Sequence, residues 1–150
     1  MKKSLKTEQI ADVYQLIEEA SYQSLSNEDK VRLWKISRVL KPTAVQFLSD
    51  KDDAMKSFIT PEFSEAFKKA RLFKQKRDKG EELSMSLEEY KKCGEIITNT
   101  NNLMEAAIGE LADKEVELEF EPLSEDALAV LITSNNWAFS QAECLECLTE

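Results

Sequence analysis

The chain has 150 residues, enough for one ordinary domain with a core, and its 29 acidic against 20 basic residues give a formal net charge of -9. That charge repels nucleic acid and anionic membrane on average, and the lack of histidine removes the commonest general base, metal ligand and neutral-pH switch. Three glycines, three prolines and 33% charged residues suit long exposed helices better than a compact β fold, and three cysteines suit a reducing compartment without a disulfide framework.

Met1-Lys2-Lys3-Ser4-Leu5-Lys6 looks like the start of a signal peptide. However, Asp12, Glu18 and Glu19 interrupt the next twenty residues. No stretch near the roughly 18 apolar residues of a membrane span follows, so an unexported, cytoplasmic protein with no membrane association is expected.

Thr7 is placed to cap a first helix with Ile10, Val13, Tyr14 and Ile17 on its apolar face. Ser26 and Asp29 then form a capping-box pattern, with Asp in place of Glu, at the start of a second helix. That helix directs Leu33, Ile36, Leu40, Ala44, Phe47, Ala54 and Phe58 to one side. Pro42 falls inside it and predicts a kink or a break. Thr60-Pro61-Glu62 reads as a restart, and Phe63, Phe67, Ala70 and Phe73 line the segment that follows.

That segment holds a basic block: Lys68, Lys69, Arg71, Lys74, Lys76, Arg77 and Lys79, with Asp78 the acid inside it. Phe67 and Phe73 would supply stacking if it bound nucleic acid. The charges surround the helix instead of forming one stripe, which favours a solvated hairpin tip or a dock for an acidic partner surface.

After a loop over 80–86, Ser86 and Glu89 make a capping box for a long helix running to about Ala112. Leu87, Tyr90, Gly94, Ile97, Asn101, Met104, Ile108 and Leu111 recur at alternating steps of three and four, as in a coiled coil. Antiparallel pairing across the loop makes 33–58 and 87–111 natural partners. Asn101 reads as a buried register-fixing residue, and Gly94 as a point of close approach.

Glu115-Val116-Glu117-Leu118-Glu119-Phe120-Glu121 then switches to a two-residue alternation. Val116, Leu118 and Phe120 share one face of a strand and four glutamates the other. Its ladder partner is either an irregular segment of the same chain or an edge supplied by another copy or another protein. Self-pairing would oppose the glutamates; the strand and the heptad arm are nevertheless the surfaces suited to a homodimer.

Ser124 caps a short helix carrying Leu128 and Leu131, Ser134-Asn135-Asn136 is a turn, and Ser140 with Glu143 caps a last helix. Trp137 and Phe139 either close the base of the hairpin or form an exposed patch. Cys144 and Cys147 form a C-x-x-C pair deep in the final turns, where small apolar core residues are the simpler assignment. No catalytic, cofactor-binding or metal-binding set is present, and no small-molecule substrate is implied.

The order of elements resembles that of small uncharacterised helical proteins of tailed phages and prophages of Gram-positive bacteria. The shared pattern comprises a helix like Thr7-Glu8-Gln9-Ile10, a basic-apolar helix like Lys30-Val31-Arg32-Leu33, and a long helix running into the alternating acidic strand. A leucine- and acid-rich tail like Ala142-Glu143-Cys144-Leu145-Glu146 completes it. The segment 58–80 is longer and more basic than in those proteins. The resemblance implies a phage or prophage origin, with cytoplasmic or virion-associated location, and not a mechanism, since those proteins have no assigned biochemical activity.

The expected fold is therefore mainly α. It comprises a long antiparallel, coiled-coil-like helical hairpin over about 27–112, an N-terminal helix, and a C-terminal cap over about 115–150 with one short strand, all in one domain. The expected function is a non-enzymatic protein-interaction module binding a protein or itself. The rival is a nucleic-acid-binding regulator acting through 68–79.

Overall fold

The computed structural model describes residues 1–83 and 85–150. The protein is mainly α, with 74% of the chain helical and one two-stranded antiparallel sheet. In chain order the described elements are β1 (Lys2–Lys6), α1 (Thr7–Glu19), α2 (Asn27–Phe58), α3 (Pro61–Asp78), α4 (Leu87–Asp113), β2 (Glu115–Glu119), α5 (Glu125–Asn135) and α6 (Phe139–Leu145). A 3₁₀ turn, Glu146–Leu148, follows. The chain divides into two compact units, residues 1–50 with 111–150, and residues 51–110.

In the first unit, β2 pairs with the N-terminal segment. Lys2 lies opposite Glu119, Ser4 opposite Glu117 and Lys6 opposite Glu115. The basic hexapeptide that looked like the start of a leader is thus a strand, and the irregular ladder partner expected for 115–121 is a regular one from the same chain. The reason is alternation with opposite charge. β1 sets Lys2 and Lys6 against the glutamates on the wet face, and Leu5 beside Val116 and Leu118 on the dry one. Opposed charges across a ladder contribute roughly 0.2–1 kcal/mol per pair, whereas pairing β2 with itself would oppose glutamates.

The pairing continues past both ends of the ladder. The Phe120 N–H donates to the Met1 carbonyl at 3.1 Å, and the Thr7 N–H donates to the Lys114 carbonyl at 2.9 Å. Thr7 also donates its hydroxyl to Lys114 O at 2.6 Å. It therefore does not cap α1 as the sequence suggested; Lys6 occupies that position without a side-chain bond. Lys3 donates from Nζ to the carbonyls of Cys147 and Thr149, at 2.8 and 2.6 Å, tying β1 to the last turn.

One hydrophobic cluster fills this unit. It joins Ile10 and Val13 of α1, Ile36 and Leu40 of α2, Leu118 and Phe120, Leu131 of α5, and Leu145 and Leu148. Pro42 does not break α2, which is one helix from Asn27 to Phe58. The proline is exposed while Leu40, Ala44 and Phe47 around it are buried, and that burial outweighs the lost backbone bond. Asn135 clamps the connection after α1, accepting from Ser21 N–H and donating to the carbonyls of Ser21 and Leu131. Asn136 then ends α5 in the left-handed region at φ 52°.

Caps fall where the sequence puts them at Ser26, Thr60, Ser86 and Ser124. Each hydroxyl accepts an N–H three residues on, at 3.1–3.2 Å. Ser140 is the exception. α6 begins two residues earlier than a cap at Ser140 would place it, and Gln141 accepts from the Ala138 N–H instead.

In the unit formed by 51–110, Phe73 of α3 is buried and stacks on Tyr90 of α4, ring centroids 4.3 Å apart. Tyr90 of the heptad seam therefore faces α3. Asn101 is exposed, and a Cβ on Gly94 would meet nothing within 4 Å. Neither residue has the seam role its spacing suggested.

Leu118→Ala is expected to lower the urea-unfolding free energy by about 2–5 kcal/mol, since its side chain joins the sheet to the cluster. A loss under about 0.5 kcal/mol, the size of an ordinary surface change, would contradict this placement.

Candidate interaction site

The residues singled out from sequence divide sharply. Val116 is half-buried, and Leu118 and Phe120 are buried, so the apolar face of the strand is spent on the core of its own unit. Trp137 also packs against that cluster, whereas Phe139 is 89% exposed. In the basic block Lys68, Lys69, Arg71, Lys74 and Arg77 are exposed and Lys76 half-buried. Lys69 pairs with Glu65 at 3.0 Å, and Arg77 lies 3.8 Å from Asp78. Lys68, Arg71 and Lys74 share one outward side of α3 with exposed Phe67.

The cysteine pair has the environment of packed small residues. Cys147 Sγ donates to the Cys144 carbonyl at 3.3 Å, at the C-terminal end of α6, where no helix N-terminus stabilises a thiolate. Burial pushes the Cys147 thiol above its ordinary value, and the charge of Lys3 only partly opposes this. Among the described residues no group of three or more His, Cys, Asp or Glu is placed to hold a metal ion. Nor, among them, is any helix long and apolar enough to cross a membrane.

The surface that stands out is one the sequence analysis passed over. While Leu33, Ile36, Leu40, Ala44 and Phe47 point into the core, a second series on α2 runs Val31, Trp34, Arg38, Lys41, Val45, Leu48. These six residues keep heptad spacing and lie about a third of a turn round the helix from the core face. Val31, Trp34, Val45 and Leu48 are 51, 56, 50 and 53% exposed. Isolated exposed apolar residues are ordinary on any protein, but four on one line of one helix are a patch.

The electrostatics of this line are as uneven as its polarity. Residues 30–49 contain Lys30, Arg32, Lys35, Arg38 and Lys41 and no acid, in a chain of net charge -9. Arg32 is engaged within the unit, with carboxylates of Glu28, Asp29 and Glu121 at 3.3, 3.7 and 3.5 Å. Lys35, Arg38 and Lys41 are exposed and form no salt bridge among the described residues. The Arg38 guanidinium lies 4.9 Å above the Trp34 ring, a cation–π contact that orients the indole.

Beside Trp34 is a cleft of about 300 Å³, walled by Ile17, Glu18 and Tyr22 on one side and Lys30, Leu33, Trp34 and Ser37 on the other. The signal for this face was present in the spacing 31-34-38-41-45-48. The stronger stripe on the same helix, Leu33, Ile36, Leu40, Ala44 and Phe47, masks it by accounting for the same periodicity.

Neither a protein-family model, nor a curated protein, nor a solved structure matches the chain.

If the outer series carries no packing role, Leu48→Ser should change the unfolding free energy by no more than about 0.5 kcal/mol. Ile36→Ala, one face over and 1% exposed, should cost about 2–5 kcal/mol. Equal losses at the two positions would mean that the outer series is covered within the fold.

Proposed function

We propose that this chain is a non-enzymatic protein-interaction module working through the exposed apolar line on α2, and that it serves as an accessory or assembly protein of phage type. The observation that carries the proposal is the half-exposure of Val31, Trp34, Val45 and Leu48 at one spacing on one helix. Apolar area left in water on a rigid helix is a standing source of association free energy, at roughly 25 cal/mol per Å² removed from water. The helix is held by its other face, so little ordering is needed before a partner binds. The phage assignment rests on the order of elements described from sequence, and the genes beside this one would test it.

A second function is favoured by a separate observation in residues 51–110. The side of α3 that carries Lys68, Arg71 and Lys74 also exposes Phe67, a combination suited to a single-stranded backbone and a stacked base.

A photo-crosslinking amino acid at position 48, introduced in cells that carry the natural neighbouring genes, separates the two. A discrete protein adduct from position 48, absent with the crosslinker at exposed Gln15, is expected. If position 48 gives no adduct while a crosslinker at Lys74 captures nucleic acid, the regulator replaces the interaction module.

A further inference from the structure

We infer that the α2 face between Lys30 and Leu48 docks an acidic amphipathic helix of a protein partner, an inference that rests on this face being the interaction surface. Charge complementarity carries it. The free cations Lys35, Arg38 and Lys41 sit within or beside the apolar line, and residues 30–49 hold no acid to answer them.

The arrangement discriminates among occupants. Arg38 and Lys41 lie in the middle of the line, with Val31 and Trp34 before them and Val45 and Leu48 after. A bilayer covering both apolar pairs would have to strip water from the two cations between them, which is expensive without carboxylates at hand. A second copy fares no better. Antiparallel two-fold pairing about the middle of the line sets Arg38 of each copy against Lys41 of the other, like charge on like. Duplex nucleic acid would answer the cations but leave Val31, Val45 and Leu48 without apolar partners.

A helix with apolar residues at heptad positions and Asp or Glu beside its central turns answers both requirements at once. From position 31 to position 48 the line is about 26 Å long at 1.5 Å per residue, so the matching segment is about 18 residues. The cleft walled by Tyr22 and Trp34 would receive one large apolar side chain near one end of that helix and set its register.

The test uses the full chain and a fluorescein-labelled helical peptide of about 18 residues with Leu at heptad positions and Glu flanking them. A twin carrying Lys for Glu, vesicles of phosphatidylserine with phosphatidylcholine, and a DNA duplex are the competitors. Saturable binding of the acidic peptide is expected, with an affinity that falls as salt rises. The twin should bind at least tenfold more weakly. The Lys35→Glu, Arg38→Glu, Lys41→Glu variant should reverse the preference between the two peptides. Its Gln counterpart, which adds no acids, should bind both weakly while keeping the parent circular dichroism spectrum. Equal affinity for the two peptides, no binding of the acidic one below about 1 mM, or stronger binding to vesicles or duplex would overturn the inference.

The position-48 crosslink distinguishes the two levels. A protein adduct that persists unchanged in the triple Glu variant leaves the interaction module standing and removes the acidic partner. No protein adduct with either chain removes both.

Discussion

The pairing of β1 with β2 is the constraint on which residues 1–50 and 111–150 depend. It brings the first seven residues against 114–120 and closes both ends of the ladder with backbone bonds at Met1–Phe120 and Thr7–Lys114. Lys3 extends the closure to the final turn through Cys147 and Thr149. A two-stranded ribbon alone is marginal in water. Here Leu5, Leu118 and Phe120 place its dry face on the helical cluster, while the wet face matches lysines to glutamates. Either strand alone would carry an unmet ladder, and β2 would also carry a row of unanswered negative charge.

That closure decides what is left over. From α2 the core of this unit takes Leu33, Ile36, Leu40, Ala44 and Phe47, with Val39 packed against it. A helix of 32 residues with a single covered stripe must leave the rest in water. Over 31–48 that remainder holds no acid, and Val31, Trp34, Val45 and Leu48 lie there with Lys35, Arg38 and Lys41 among them. The energetic asymmetry of α2, held on one side and unsatisfied on another, links the fold to its proposed role.

Ser140 apart, local chemistry was legible in the sequence where one residue acts on its near neighbours. The caps at Ser26, Thr60, Ser86 and Ser124, the alternation at 115–119 and the core stripe of α2 all follow from short-range spacing. Choices made across long separations were not. The partner of β2 lies more than a hundred residues away, and Lys2-Lys3-Ser4-Leu5-Lys6 is too short and too polar to announce a strand by itself. Its charge complementarity to Glu115–Glu119 was the available clue. Thr7 has the local spacing of a cap, yet its hydroxyl donates to the distant Lys114 carbonyl. The seam role of Asn101 failed for the same reason, since heptad spacing states that a face is apolar and not which helix covers it. The outer line of α2 was readable in principle, being a second heptad series beside the first.

The most direct test of the central pairing is nuclear Overhauser spectroscopy on a chain mixed from differently labelled copies. The bonded ends at Met1–Phe120 and Thr7–Lys114 fix the alternation of the ladder, so Lys2–Glu119 and Ser4–Glu117 are close pairs without a mutual hydrogen bond. Strong cross-peaks between the α-protons of Ser4 and Glu117, present within one labelled copy and absent between copies, are the predicted result. Their absence within a copy, or their appearance only between differently labelled copies, would contradict it.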